Sequence, residues 1–254
     1  MKKVYLVLFL TGILLKPEIL RADNLLANEI ETGKQVSQNH SESRGATSNL
    51  DVIIVFDNSD SMAFHVSTLE FYLNFYFYQE LHPAEFNTRV ILISDDSNDN
   101  EGICIEGPLG SGACPSDENL PNYQHVVQNI SGDNALSTII STYDQWDQTL
   151  RANSKRAVMV ISDGNADMTA NEFISALISL DNDFSGFQFH AIARTQVDGC
   201  QNHIDFRTVY TQLADITNGL HYSIFNEFYD GIWRLIANNI TDSIFQSEFE
   251  CIGH

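Results

Sequence analysis

The chain has 254 residues, 43% of them hydrophobic, and carries a formal net charge of −21 at pH 7. This length and apolar content are enough for one large domain with a substantial core. The acidic balance, without a basic stripe anywhere in the sequence, argues against nucleic acid and anionic membrane surfaces as partners, because like charges repel.

The amino terminus has the pattern of a secretory signal peptide. Two lysines at positions 2 and 3 precede an apolar run over 4–15, and Ala22 stands where cleavage is expected. Because this run is short for a bilayer span, we predict a cleaved signal at 1–22 and a secreted, periplasmic or cell-surface location. An uncleaved anchor is the alternative.

A polar zone rich in Asn, Ser, Glu and Gln follows over residues 23–49. Such a composition cannot bury enough apolar surface to order itself, so we predict a disordered linker. We place the folded domain at 50–245 and a C-terminal tail at 246–254.

From residue 51 onward, runs typical of buried strands alternate with helical patterns, which predicts a doubly wound α/β fold. We expect a mainly parallel six-stranded sheet with helices on both faces. The predicted strands are 51–57, 88–95, 123–128, 156–162, 187–193 and 219–224. The predicted helices are 62–81, 133–152, 169–181, 205–218 and 226–244. In the first helix we predict Phe71, Phe75 and Tyr78 on the inner side, and in the fifth strand we predict that His190 is a hydrogen-bonded core residue.

Four cysteines in an exported chain favour disulfides over free thiols. Four cysteines allow three pairings, and we favour Cys104 with Cys114 and Cys200 with Cys251. The first pair would close a turn-rich segment inside a loop at 96–122, which cannot order itself by burial.

The run Asp57-Asn58-Ser59-Asp60-Ser61 directly follows the first predicted strand. Its leading carboxylate and two hydroxyls are hard oxygen ligands, which Mg²⁺ and Ca²⁺ prefer. The run resembles the Asp-x-Ser-x-Ser signature that opens the metal-ion-dependent adhesion site of von Willebrand factor type A (vWA) domains. The resemblance covers about residues 50–245 and implies a Rossmann-like fold.

Two later segments extend this resemblance. Asp163 ends a β-branched run as the fourth strand of the family does, and the resemblance implies a place for it in or beside the coordination sphere of the metal. In Ser131-Gly132-Asp133, Asp133 stands where the family usually has a threonine ligand, which leaves Ser131 as the alternative ligand. Asp60 replaces a frequent glycine and adds another carboxylate. The predicted ligands of Mg²⁺ or Mn²⁺, with Ca²⁺ as the alternative, are Asp57, Ser59, Ser61, Asp133 and Asp163.

These residues predict a secreted binding module, not an enzyme, whose metal ion engages an acidic side chain of a protein partner. The nucleotide-binding glycine patterns and the Gly-x-Ser-x-Gly elbow do not occur in the sequence. The alternatives are a metal-dependent hydrolase, with His65 or Asp133 as the general base, and a structural scaffold with a vestigial metal site. We expect the 96–122 loop to frame the mouth of the site and to set partner choice.

Overall fold

Strand β1 (Ser48–Phe56) lies at the centre of a six-stranded sheet whose order is β3-β2-β1-β4-β5-β6. The computed structural model describes residues 48–81, 86–96, 102–194, 208–225 and 229–250, with side chains of the last helix described over 231–242. The predicted signal peptide and nearly all of the predicted linker lie outside the described residues. The strand begins two residues before the predicted domain boundary, so Ser48 and Asn49 belong to the sheet.

Every pairing in the sheet is parallel, which confirms the predicted fold class. The other strands are β2 (Phe86–Ser94), β3 (Tyr123–Val127), β4 (Lys155–Ser162), β5 (Gln188–Ala193) and β6 (His221–Ser223). The strand order reverses between β1 and β4, which are paired directly, with Val55 opposite Val160. In open α/β sheets, ligands bind beyond the carboxyl ends of the strands at such a reversal.

Helices cover both faces of the sheet. Helix α1 runs from Val66 to Leu81 as an α-helix (Val66–Tyr72), a π-helical segment (Leu73–Phe77) and a last turn (Tyr78–Leu81). The later helices are α2 (Ala135–Ser141), α3 (Tyr143–Trp146), α4 (Ala170–Leu180), α5 (Val209–Ile216) and α6 (Tyr229–Glu250). Helices α1 and α6 bury one face of the sheet, and α2, α4 and α5 bury the other. Among the described residues, no helix is both long and apolar enough to cross a membrane.

Both faces of β1 are therefore core, which explains its unbroken apolar sequence. Ile54 and Phe56 point to the face covered by α1 and α6, whereas Ile53 and Val55 point to the opposite face. His190 of β5 is fully buried and accepts a hydrogen bond from the Leu220 backbone N–H, at 3.1 Å from Nδ1. Its predicted role as a hydrogen-bonded core residue is confirmed.

The predicted inner side of α1 is wrong for two of its three residues. Tyr78 is buried, but Phe71 and Phe75 are each 48% exposed and stack on each other with ring centroids 4.9 Å apart. Leu69 and Leu73 lie on the inner side of the helix. Phe71 and Phe75 each follow one of these leucines by two positions, and two residues of a helix correspond to a rotation of about 200°, so both rings point away from the core. Phe71, Phe75 and Tyr78 are at helical spacing, but the side of the helix that faces the core is the one that carries Leu69 and Leu73.

Two predicted helices differ most at their carboxyl ends. The helix predicted at 133–152 ends at Ser141, where the Thr142 hydroxyl donates to the Thr138 carbonyl at 2.7 Å, and such back-bonding competes with a regular helix. The helix predicted at 226–244 continues to Glu250, so most of the predicted tail is helical.

Candidate metal-binding site

The loop after β1 is fixed to its neighbours by backbone hydrogen bonds. The Asp57 N–H donates to the Ile161 carbonyl at 3.0 Å, and the Asn58 N–H donates to the Ile130 carbonyl at 2.8 Å. The Asn58 side-chain oxygen accepts from the backbone N–H of Asp95 at 2.7 Å, next to the end of β2. The leading motif is therefore held from three neighbouring segments before any ligand is considered.

Four of the five predicted ligands form one network at the β1–β4 reversal. Asp57 is 1% exposed, and its Oδ1 accepts the Ser59 backbone N–H at 2.9 Å. The hydroxyls of Ser59 and Ser61 lie 3.2 Å apart, and the Ser61 hydroxyl donates to Asp163 Oδ1 at 3.0 Å. The serines are more exposed than Asp57, so the network leads from a buried carboxylate towards solvent.

Ser162 connects the two strands directly, a role that the sequence analysis missed. Its hydroxyl donates to Asp57 Oδ2 and accepts the Gly164 backbone N–H at 2.9 Å. The signal available in the sequence was its position: as the last residue of β4, it faces the end of β1 in a parallel sheet.

Gly132 and Gly164 bring two loops into backbone contact. A Cβ atom on Gly164 would lie 1.5 Å from the Gly132 carbonyl oxygen, so only glycine fits there. A Cβ on Gly132 would lie 3.6 Å from Asp57 Oδ2, which places this loop directly against the buried carboxylate.

Asp133 follows Gly132 on the same loop and is exposed. Within the described residues, no hydrogen bond or ion pair joins its carboxylate to Asp57, Ser59 or Ser61, so its role as a ligand stays a prediction. The charge of Asp133 nevertheless affects the nearby Tyr210. Burial raises the pKa of Tyr210, and the carboxylates of Asp57, Asp167 and Asp133 raise it further.

The surroundings of the site contain neutral and cationic groups as well. The Tyr210 hydroxyl remains protonated and donates to the Asn165 carbonyl at 3.2 Å. Burial lowers the pKa of His65, and the Asp163 carboxylate opposes this by raising it. The Arg194 guanidinium lies 3.7 Å from Asp163 Oδ2, and nothing in the sequence indicated that contact.

The donor set fits a hard cation. In the described part of the chain, no three side chains of the His, Cys, Asp and Glu types gather closely enough to hold an ion. The network of Asp57, Ser59, Ser61 and Asp163 would offer a cation two carboxylates and two hydroxyls, with water in the remaining positions. Mg²⁺ suits this set, because it prefers oxygen ligands and keeps several of its waters.

Cys104 and Cys114 are joined, with their Cα atoms 5.8 Å apart, which confirms the first predicted disulfide. Cys200 and Cys251 lie outside the described residues. The described part of the loop, 102–122, hydrogen-bonds to α1 through Glu70 and Asn74 and to β3 through Asp117. Its place at the mouth of the site stays a prediction.

No protein-family model matches this chain, and no curated protein matches it. The vWA resemblance therefore rests on the sequence motifs.

Proposed function

We propose that this chain is a secreted, metal-dependent binding module of the vWA type, which uses a Mg²⁺ or Mn²⁺ ion to engage an acidic group of a protein partner. The observation that carries the proposal is the network of Asp57, Ser59, Ser61 and Asp163 at the reversal of strand order. The network brings together oxygen atoms that can coordinate a metal, at the position where open α/β sheets bind small molecules and ions.

The residues have separable roles in this proposal. Asp57 is the fixed anchor, because the Ser162 hydroxyl and the Ser59 N–H orient its two oxygens. Ser59, Ser61 and Asp163 form the solvent side of the ligand set. A bound ion would supply an open coordination position, which a carboxylate of the partner fills.

Secretion has its support in the amino-terminal sequence pattern, and the Cys104–Cys114 bond fits an oxidising compartment. The exposed carboxylates of Asp60 and Asp133 offset part of the charge of the ion. We therefore expect weaker binding of an acidic partner than at a site with neutral residues in these two positions.

Calorimetric titration of the wild-type chain with Mg²⁺ and with Mn²⁺ tests the proposal. Asp57→Asn should weaken metal binding at least about tenfold, because the variant loses a charged ligand of the cation. Asp51→Asn is the matched control, since Asp51 is equally buried and lies on β1 six residues before Asp57, on the side away from the candidate ligands. It should keep the affinity of the wild type.

Equal affinities of the wild type and the Asp57 variant would contradict the assignment of the site. Absence of metal binding in the wild type would favour the scaffold alternative instead. The hydrolase alternative stays a prediction that this titration does not address.

A further inference from the structure

Arg194 lies at the carboxyl end of β5, beside the proposed site. Its backbone N–H donates to the Ser162 carbonyl at 3.3 Å, which fixes the start of its side chain next to Asp163. The side chain is 50% exposed, with the guanidinium 3.7 Å from Asp163 Oδ2 and 5.8 Å from the centroid of the Phe225 ring.

The two oxygens of Asp163 thus face two different groups. Oδ1 accepts the Ser61 hydroxyl, which belongs to the proposed ligand set, and Oδ2 faces Arg194. A guanidinium group keeps its charge at every pH at which proteins are folded. A permanent positive charge therefore stands beside a carboxylate that the site would offer to a cation.

We propose that Arg194 is an internal counter-ion of this site, which pairs with Asp163 in the absence of metal and which an incoming divalent cation must displace. This inference rests on the proposed function and adds a regulatory feature to the same site. Two cations at one carboxylate repel each other, so binding of the metal disfavours the Arg194 contact. The long, half-exposed side chain can turn into solvent without disturbing the core.

Arg194 consequently lowers the affinity of the site for metal and makes it depend on ionic strength. Removing its charge should tighten Mg²⁺ binding by about three- to thirtyfold at low salt, the size expected for a unit charge about 4–12 Å from a divalent ion when water screens both. The gain should shrink as salt rises, because screening weakens interactions between exposed charges.

The experiment is calorimetric Mg²⁺ titration of the wild type, Arg194→Gln and Arg194→Lys, at about 20 mM and about 500 mM NaCl, a range over which the screening length falls severalfold. Arg194→Gln should bind Mg²⁺ more tightly than the wild type, and by a larger factor at low salt. Arg194→Lys should bind like the wild type, since it keeps the charge. A purely structural role of Arg194 would not produce this dependence on charge and salt.

Arg234 on α6 provides the matched control. Its side chain is 56% exposed, lies 3.5 Å from a carboxylate oxygen of Glu80 and stacks 5.2 Å from the centroid of the Tyr76 ring. Arg234→Gln removes the same charge from a similar setting away from the candidate ligands, so it should leave Mg²⁺ affinity unchanged.

Equal affinities of the wild type and Arg194→Gln would overturn the counter-ion and leave the proposed function standing. The counter-ion would also be overturned if Arg194→Lys, which keeps the charge, bound Mg²⁺ as tightly as Arg194→Gln. If neither the wild type nor any variant binds metal, both the proposed function and this inference are wrong.

Discussion

Two buried carboxylates flank the apolar centre of β1, Asp51 within the strand and Asp57 directly after it. They differ in how many hydrogen bonds they accept. Asp51 accepts from the Arg151 backbone N–H, from two guanidinium nitrogens of Arg151 and from the Ser154 hydroxyl. A carboxylate has about four lone-pair positions, so Asp51 is saturated. Among the described residues, Asp57 accepts one backbone N–H and one hydroxyl. It therefore retains the capacity for a further ligand, whereas Asp51 only stabilises the fold.

The close contact between Gly164 and Gly132 leads to a prediction about single residues. Gly164→Ala places a methyl group where the Gly132 carbonyl oxygen lies, so both loops must move. We expect the free energy of unfolding to fall by about 1–3 kcal/mol, as for other overpacked sites, and metal binding to weaken. Urea denaturation and Mg²⁺ titration measure the two effects.

Gly186→Ala is the control for this substitution, because a Cβ at Gly186 meets nothing within 4 Å. Its stability should stay within about 0.5 kcal/mol of the wild type. If the two alanine variants were equally stable, the close loop contact would be wrong.

His190 predicts a pH dependence of stability. Burial lowers its pKa from 6.5 to about 3. Below pH 6.5 the unfolded chain therefore binds a proton that the folded protein does not, so stability falls as the pH falls from 6.5 towards 3. Between pH 7.5 and pH 5 the loss due to this residue should be about 2 kcal/mol.

His190→Asn checks this prediction. The side-chain oxygen of asparagine can take the place of Nδ1 as the acceptor of the Leu220 N–H, but asparagine does not titrate. Urea denaturation of both proteins at the two pH values should show a smaller loss in the variant than in the wild type. An identical loss in both would mean that His190 does not cause the pH dependence.

Among the elements, α1 and the disulfide-bonded loop depend on each other. Asn74 lies in the π-helical segment of α1 and is 3% exposed. Its amide nitrogen donates to the carbonyls of Glu106 and Gly107 at 3.1 and 3.0 Å, and its oxygen accepts the Leu109 N–H at 3.1 Å. The described part of the loop, 102–122, is thus fixed to α1 by Asn74, in addition to the hydrogen bond from the Cys104 N–H to Glu70.

Asn74→Ala should lower the free energy of unfolding by about 2–4 kcal/mol, because three hydrogen bonds are lost at once. Urea denaturation under non-reducing conditions measures the change. Gln79→Ala, at an exposed position in the last turn of the same helix, should change stability by less than about 0.5 kcal/mol. A similarly small effect at Asn74 would show that its three hydrogen bonds are not needed to hold the loop on α1.

On the scale of the whole molecule, the sheet was predictable and the side-chain contacts were not. Apolar β-branched runs placed the central strands β1, β2 and β4 within a few residues, because strands buried on both faces read as continuous apolar segments. The alternation of strand and helix patterns placed the other three. The same reasoning brought Asp57 and Asp163 together, since the carboxyl ends of parallel strands share one edge of a sheet.

Contacts that depend on helical phase or on the register between distant segments escaped prediction. The exposed positions of Phe71 and Phe75 depend on which side of α1 faces the sheet. Ser162 and Arg194 reach the site only through the pairing of β4 with β1 and with β5. The sequence therefore named Asp57, Ser59, Ser61 and Asp163 as candidate ligands, whereas the contacts of Ser162 and Arg194 were missed.

The pairing of β1 with β4 also determines when the site can form during synthesis. The hydrogen bond from Ser162 to Asp57 spans 105 positions of the chain. At the usual speed of a ribosome, the second residue is made about 5–20 s after the first. During that time the apolar centre of β1 exists without the strand that later covers one of its edges. A growing chain that ends before residue 155 carries the leading aspartate and both serines but lacks β4, so the site cannot assemble until most of the domain has been translated.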